Sequence, residues 1–380
     1  MPSSPSIYIH IPFCIKKCHY CDFYSVPFSD SLALSYIETL GKEWEMYRHD
    51  SLLNNQTIHT VYIGGGTPSL LTVDMWKKLD EVLFSKFDKS EIKEWSVECN
   101  PESFTIEKAD MYAGSGVTRL TFGVQSLNPQ ELSVCGRAHS AERALEILNC
   151  KLLFERFRSV GVDIIYSLPE QTLETLDNTL SKVLSVPAVK HLSAYELTIA
   201  DDTPFGRRRQ KLLLPSEELS VEMYELINKR CNVHGMRQYE VSNYAFEGYE
   251  SLHNKAYWSH KPYIGLGASA HSYIHPKRWS NVSDVENYIS KISSGKRAID
   301  FEETLGPLEV ASEIIFLGLR NRDGIDEEAF TSRTGLELRG DGREKTLLKY
   351  VDLGLLEKRN NLWIPTSRGM LFADMMAREL

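Results

Sequence analysis

A chain of 380 residues exceeds what one hydrophobic core usually organises, which predicts a large domain with a smaller appendage. Its 42% hydrophobic and 25% charged residues are those of an ordinary globular protein and exclude extended disorder. The net charge of -9 argues against a nucleic-acid backbone as the main partner, because phosphate binding needs clustered cations.

The start, Met1-Pro2-Ser3-Ser4-Pro5, lacks the basic-then-apolar order of a secretory signal. No apolar run reaches the roughly 20 residues of a membrane span, so the expected compartment is the cytoplasm. Residues 7–11 read as a strand ended by Pro12, and Cys14, Cys18 and Cys21 follow on one loop at its carboxyl end. Helical periodicity over 32–46, 74–84, 141–153, 173–184 and 217–231 alternates with strand candidates at Ile7, Ile58, Trp95, Leu120, Val162, His191 and Tyr239. Six or seven βα units fall short of the eight in a closed TIM barrel, which predicts an α/β fold built on a partial (β/α)6-type barrel. The basic run Arg207-Arg208-Arg209-Gln210-Lys211 reads as a solvated loop. After Asp284 strand alternation gives way to helices and one hairpin turning at Asn360-Asn361. The expected division is therefore 1–285 and 286–380, the second part helical and winged-helix-like. Over residues 320–380, 11 Lys/Arg stand against 11 Asp/Glu, which favours docking or a lid over DNA binding.

Seven cysteines in a reducing compartment are a poor disulfide framework, and three within eight residues point to metal or redox chemistry. Cys99, Cys135, Cys150 and Cys231 are scattered singly and read as small buried hydrophobes. Three thiolates on a four-iron cubane leave one iron open to a small molecule. A zinc site would need His10 or His19 as its fourth ligand, but structural zinc sites pair two close ligands with two remote ones, and no remote pair exists. Phe13, Tyr20 and Phe23 would form an apolar collar around the cluster.

Further along, Gly64-Gly65-Gly66-Thr67-Pro68 follows a strand, where missing side chains admit a ligand to the backbone and its N–H groups. Read alone, this is equally a plain strand-to-helix turn. Glu98, Gln125 and Asp163 fall at or near strand ends, the rim where barrel active sites collect, and Arg137 lies twelve residues past Gln125. Singly, each reads as a surface or capping residue.

The pattern Cys-x₃-Cys-x-Tyr-Cys resembles the signature of the radical S-adenosylmethionine (SAM) superfamily, and Tyr8-Ile9-His10-Ile11-Pro12-Phe13-Cys14 resembles its coproporphyrinogen III dehydrogenase branch. The resemblance implies a 4Fe–4S cluster on Cys14, Cys18 and Cys21 whose free iron is chelated by SAM. It also implies SAM contacts at Tyr8, Tyr20, Gly65, Gly66, Thr67, Glu98, Gln125, Arg137 and Asp163. The dehydrogenases carry a further cysteine where this chain has Phe23, and a long extension where it has seven residues before Tyr8. Instead the chain is similar to HemW-type heme chaperones, whose His-Asn-x-x-Tyr-Trp motif is matched by His253-Asn254-Lys255-Ala256-Tyr257-Trp258. That implies heme contacts at His253, Tyr257 and Trp258, with a histidine nitrogen available to iron and aromatic rings walling a porphyrin. Without the resemblance, the same motif reads as a helical turn with packing aromatics. The segment from Gly265 to His271 also looks like the family's, and its glycines would admit a ligand to the backbone. The implied partners are heme or a related tetrapyrrole, a heme-accepting apoprotein and an electron donor, with membrane contact only through acceptors. The alternative function is oxygen-independent coproporphyrinogen III dehydrogenase. A DNA regulator is disfavoured by the tail's balanced charge.

Overall fold

A computed structural model describes residues 4–48, 57–85 and 89–380; Met1, Pro2 and Ser3 of the opening segment lie outside it. Six strands form the frame: Ser6–Ile11, Thr60–Gly65, Glu94–Cys99, Arg119–Gln125, Ser159–Tyr166 and Val189–Glu196. They pair in chain order, each parallel to the next. Crossover helices cover one face and side chains fill the other, so Ile7, Ile9, Ile11, Val61, Ile63 and Val97 are all buried. The first and sixth strands do not pair, and the barrel stays open.

Beyond the first strand the sheet continues through Tyr263–Leu266, which is parallel to it, then antiparallel through His271–Ile274, Lys277–Asn281 and Ile299–Thr304. At the far edge Asn243–Ala245 and Arg237–Gln238 add an antiparallel hairpin. Tyr239 therefore lies in the turn of that hairpin, not in a further parallel strand. The periodicity over 141–153 is broken at Asn149 and Cys150, which separate helices Ala141–Leu148 and Lys151–Arg156. The Asn149 side chain caps the first by donating to the Leu145 carbonyl at 2.8 Å.

The loss of strand pattern after Asp284 does not end the sheet. Helix Val285–Ser293 packs Val285, Tyr288 and Ile292 into the main core, and the last sheet strand runs to Thr304. A separate core begins at Ala311 and collects Leu319, Phe330, Leu347, Trp363 and Met376. Its hairpin pairs Leu356–Arg359 with Leu362–Pro365, and Asn360 supplies the positive φ of 53° that the tight turn requires. Cys99, Cys135 and Cys231 are buried as expected, whereas Cys150 is only half-buried because it sits at the break between helices. Arg207–Lys211 is exposed but forms a 3-10 turn, Gly206–Lys211, rather than a loop. Among the described residues no helix is long and apolar enough to cross a membrane.

Candidate cluster, cofactor and porphyrin site

Pro12 ends the first strand and the chain turns into the cysteine loop. A two-residue parallel pair, Phe13–Cys14 with Val26–Pro27, closes it. Val26 N–H donates to the Pro12 carbonyl at 2.7 Å and Phe28 N–H to the Cys14 carbonyl at 3.1 Å. The middle is tied to distant chain: His19 N–H donates to the Cys135 carbonyl and Phe205 N–H to the His19 carbonyl, both at 2.9 Å. Cys14, Cys18 and Cys21 thereby share one wall of a cavity of about 360 Å³. Burial pushes the Cys21 thiol up to about 11 and raises Cys14 as well. Ligation by iron must therefore displace protons from this wall.

Of the two histidines that a zinc site would recruit, His10 is engaged at both ring nitrogens and His19 at Nδ1. His10 Nδ1 lies 3.0 Å from Tyr8 Oη and its Nε2 lies 3.2 Å from the Tyr24 carbonyl. His19 Nδ1 lies 2.7 Å from the Val134 carbonyl. Among the described residues, no three His, Cys, Asp or Glu side chains meet around a point for a single ion.

Glycine at position 66 serves packing. A Cβ there would stand 2.7 Å from the Phe13 carbonyl oxygen and 2.8 Å from its nitrogen, inside the cysteine loop's own backbone. Gly66→Ala is therefore expected to cost about 1–3 kcal/mol or more and to lower iron uptake, read by thermal unfolding and by iron content after anaerobic reconstitution. The glycine N–H groups do not face a ligand as expected: Gly65 donates to Glu98 Oε2 at 3.0 Å and Gly66 to the Ile11 carbonyl at 2.8 Å. What this turn can offer the ammonium of an amino acid is carbonyl oxygen, which suits a cation better.

The remaining predicted residues converge, with one exception. Thr67 is buried; its Oγ1 stands 3.6 Å from Cys14 Sγ and accepts from Asn100 Nδ2 at 3.2 Å. Arg137 donates to Cys18 Sγ at 3.3 Å, to Asn100 Oδ1 at 2.8 Å and to the Gly123 carbonyl at 2.6 Å. A guanidinium always carries its charge, so it opposes the negative charge that thiolates bring. Arg137 thus braces the cysteine loop, and Asn100, which the sequence did not single out, links it to Thr67. Gln125 closes the fourth strand in the left-handed region (φ 67°), a strained conformation of the kind that collects at ligand sites. Glu98 accepts from Tyr62 Oη at 2.7 Å as well as from Gly65. Asp163 Oδ1 has no partner although it is buried from solvent, and desolvation lifts the carboxyl from 3.8 to about 7. Tyr20, Gly65, Gly66, Thr67, Glu98, Gln125, Arg137 and Asp163 all line the cysteine cavity; Tyr8 does not.

Tyr8 lies instead on a second cavity of about 760 Å³, with His10 two residues along the same strand face. Asp22, Phe23 and Glu98 line both cavities, so one partition separates them. Phe13, expected in the collar, is fully buried and packs edge-on against Phe28 and Tyr36. Phe23 is 61% exposed and does face both cavities.

His253 and Tyr257 border the second cavity and Trp258 does not. Helix Leu252–Trp258 is anchored by buried Glu94, which accepts from Ser251 Oγ and from the Leu252 and His253 N–H groups, each at 3.1 Å. Arg119 Nε, also buried, neutralises that carboxylate at 3.1 Å. His253 itself has no free nitrogen. The Thr60 hydroxyl donates to Ser6 Oγ, so His253 Nδ1–H donates to Thr60 Oγ1 at 2.9 Å, and Nε2 accepts from Tyr257 Oη at 2.9 Å. Burial lowers this imidazole to about 4, so it is neutral near pH 7. The expectation of an iron ligand at His253 does not match this geometry; His253 instead fixes the Tyr257 ring, 4.8 Å away and edge-on. Residues Glu313, Phe316 and Leu317, from the second unit, complete the cavity and left no local signal in the sequence.

The Radical SAM superfamily matches residues 8–183 and the HemN C-terminal domain matches residues 305–372. The chain is 35% identical to the heme chaperone HemW of Bacillus subtilis over 97% of both chains. The chain belongs to the HemW family of radical SAM proteins. It is also 32% identical to the heme chaperone HemW of Mycobacterium tuberculosis, over 100% of this chain and 96% of that one. Coproporphyrinogen III oxidase HemN from Escherichia coli, a radical SAM enzyme, superposes with a TM-score of 0.85 over 100% of this chain and 90% of its own. At 21% identity that likeness establishes the fold. Membership in the superfamily implies a 4Fe–4S cluster and SAM. The residues present fit both, since three thiols share a wall and the orphaned Asp163 oxygen faces the same space.

Proposed function

We propose that this chain is a cytoplasmic heme chaperone that holds a 4Fe–4S cluster on Cys14, Cys18 and Cys21, binds SAM beside it, and passes heme to an acceptor apoprotein. The observation that carries this reading is the full-length similarity to heme chaperones, over 97% of both chains for the Bacillus relative. The second cavity supports it: about 760 Å³, walled by tyrosines, and bordered by Lys261, a cation that a heme propionate can pair with, while Arg278 is already paired with Glu303 and Glu313.

The cluster, when bound, supplies single electrons to SAM from an electron donor. The chain's own residues orient and shield. Glu98 would offer its carboxylate to ribose hydroxyls and Asp163 its unpartnered oxygen to a SAM molecule, while Arg137 holds Cys18, and Thr67 with Asn100 holds Cys14. Phe23, standing where the dehydrogenases have a further cysteine, puts an apolar ring between the two cavities. Contact with membranes arises through the acceptor proteins.

Reduced, reconstituted protein incubated with SAM and either heme or coproporphyrinogen III tests the reading. The expected result is saturable heme binding with no protoporphyrinogen formed. Protoporphyrinogen accumulating with 5′-deoxyadenosine would assign the chain to oxidative decarboxylation instead.

A further inference from the structure

Iron in a porphyrin needs a ligand with a free lone pair, and the second cavity offers four histidines from which to choose. Three of them are spent. His10 is bonded at both nitrogens, to Tyr8 Oη and the Tyr24 carbonyl. His253 is bonded at both, to Thr60 and Tyr257. His260 has Nε2 at 2.9 Å from Glu313 Oε2 and Nδ1 at 2.7 Å from an Arg333 guanidinium nitrogen. His271 lines the same cavity, is exposed to it, and makes no side-chain hydrogen bond among those the structure records.

We infer that His271 is the axial ligand to heme iron in the second cavity, an assignment that rests on the heme-chaperone reading above. Its backbone is held as a ligand's should be. His271 opens the strand His271–Ile274, directly after a turn whose Gly267 N–H donates to buried Glu43 at 2.8 Å and whose Ala268 N–H donates to Tyr36 Oη at 2.9 Å. Gly265, one strand over, sits so close that a Cβ there would stand 2.1 Å from the His271 carbonyl oxygen. The ring can therefore rotate into the cavity while its main chain stays fixed. Its surroundings suit a porphyrin: Tyr263 and Tyr273 line the same cavity, and the Tyr257 and Tyr263 rings meet edge-on at 4.6 Å. Among the tyrosines of this cavity, Tyr8, Tyr24, Tyr62, Tyr257 and Tyr273 are each engaged through the hydroxyl, which leaves Tyr263 as the competing oxygen ligand.

The test titrates the full-length chain with hemin and, separately, with iron-free protoporphyrin IX, following absorbance and fluorescence. An axial ligand acts only through iron. His271→Ala is thus expected to weaken hemin binding by about tenfold or more, leave protoporphyrin IX within about twofold, and shift the Soret band. Imidazole added to His271→Gly is expected to restore that band, and His253→Ala is expected to keep it while weakening both porphyrins through the displaced Tyr257 ring. If the parent chain binds hemin saturably and His271→Ala reproduces its spectrum and affinity, the ligand assignment falls while the porphyrin reading stands; loss of the band in Tyr263→Phe instead has the same meaning. If the parent chain binds neither porphyrin, the porphyrin reading falls and takes the ligand with it.

Discussion

Cys18→Ala is expected to leave anaerobic reconstitution colourless, without iron–sulfur absorbance and without saturable SAM binding. The reason is geometric as well as chemical. Cys18 is the middle ligand of three on one wall, and it is the one that receives the Arg137 guanidinium at 3.3 Å. Alanine removes a ligand that nothing nearby replaces: Cys135 is buried, its thiol raised to about 12 by desolvation, and its carbonyl is occupied by His19 N–H. It also removes one of the groups that hold the buried Arg137, leaving Glu102 and Asp163 as the carboxyl groups that face the guanidinium. Iron analysis and visible absorbance read the loss directly. Retention of the cluster spectrum in Cys18→Ala would overturn the ligand set. Hemin binding in the same variant is expected to survive, since the porphyrin cavity borrows Asp22, Phe23 and Tyr24 from the cysteine loop and none of its cysteines.

That separation explains what was legible in the sequence. The cysteine triad is local: Pro12 ends a strand, and three thiols within eight residues point to metal or redox chemistry without help from the rest of the fold. Glu98, Gln125 and Asp163 were legible because parallel strands bring their carboxyl ends to one rim whatever the loops do. Asn100 stands one residue past a strand end and was within reach of the same argument, but an Asn before a proline reads first as a turn. Tyr8 shares a strand face with His10, and that face lines the other cavity, a placement that the motif alone does not give. The second cavity was beyond local reading. Its walls come from residues as far apart as Tyr8 and Leu317, and its histidines are sorted into spent and free by partners such as Thr60 and Arg333 that lie remote in the chain. No periodicity records such pairings. The sheet strands after Tyr263 were missed for a related reason: they are short and antiparallel, and the edge strand Ile299–Thr304 carries charges and is largely exposed.

Asp163 yields the second large effect. Its folded-state carboxyl titrates near 7 against 3.8 as a free side chain, because burial disfavours the anion and Oδ1 has no donor. Between those values the folded protein binds the extra proton, so stability falls as pH rises from about 4 to about 7 and is flat above. The raised value sets a ceiling on the order of 4 kcal/mol for the penalty above neutrality, reduced by water in the cavity. Asp163→Asn removes a buried charge whose desolvation outweighs the help of Ser193 and Arg137. In the iron-free chain its stabilising effect is expected to be small at pH 4.5 and a few kcal/mol at pH 8, measured by denaturant unfolding at both. A cationic sulfonium in the cavity reverses the sign of the local balance: it favours the Asp163 anion and is favoured by it. SAM should therefore bind the reconstituted protein more tightly as pH rises through 7, and Asp163→Asn should flatten that slope. Glu98, also raised by burial, already has Tyr62 and Gly65 donating to it, so its share of the slope survives in the variant. A slope unchanged in Asp163→Asn would move the titrating group to Glu98 and leave Asp163 a packing residue.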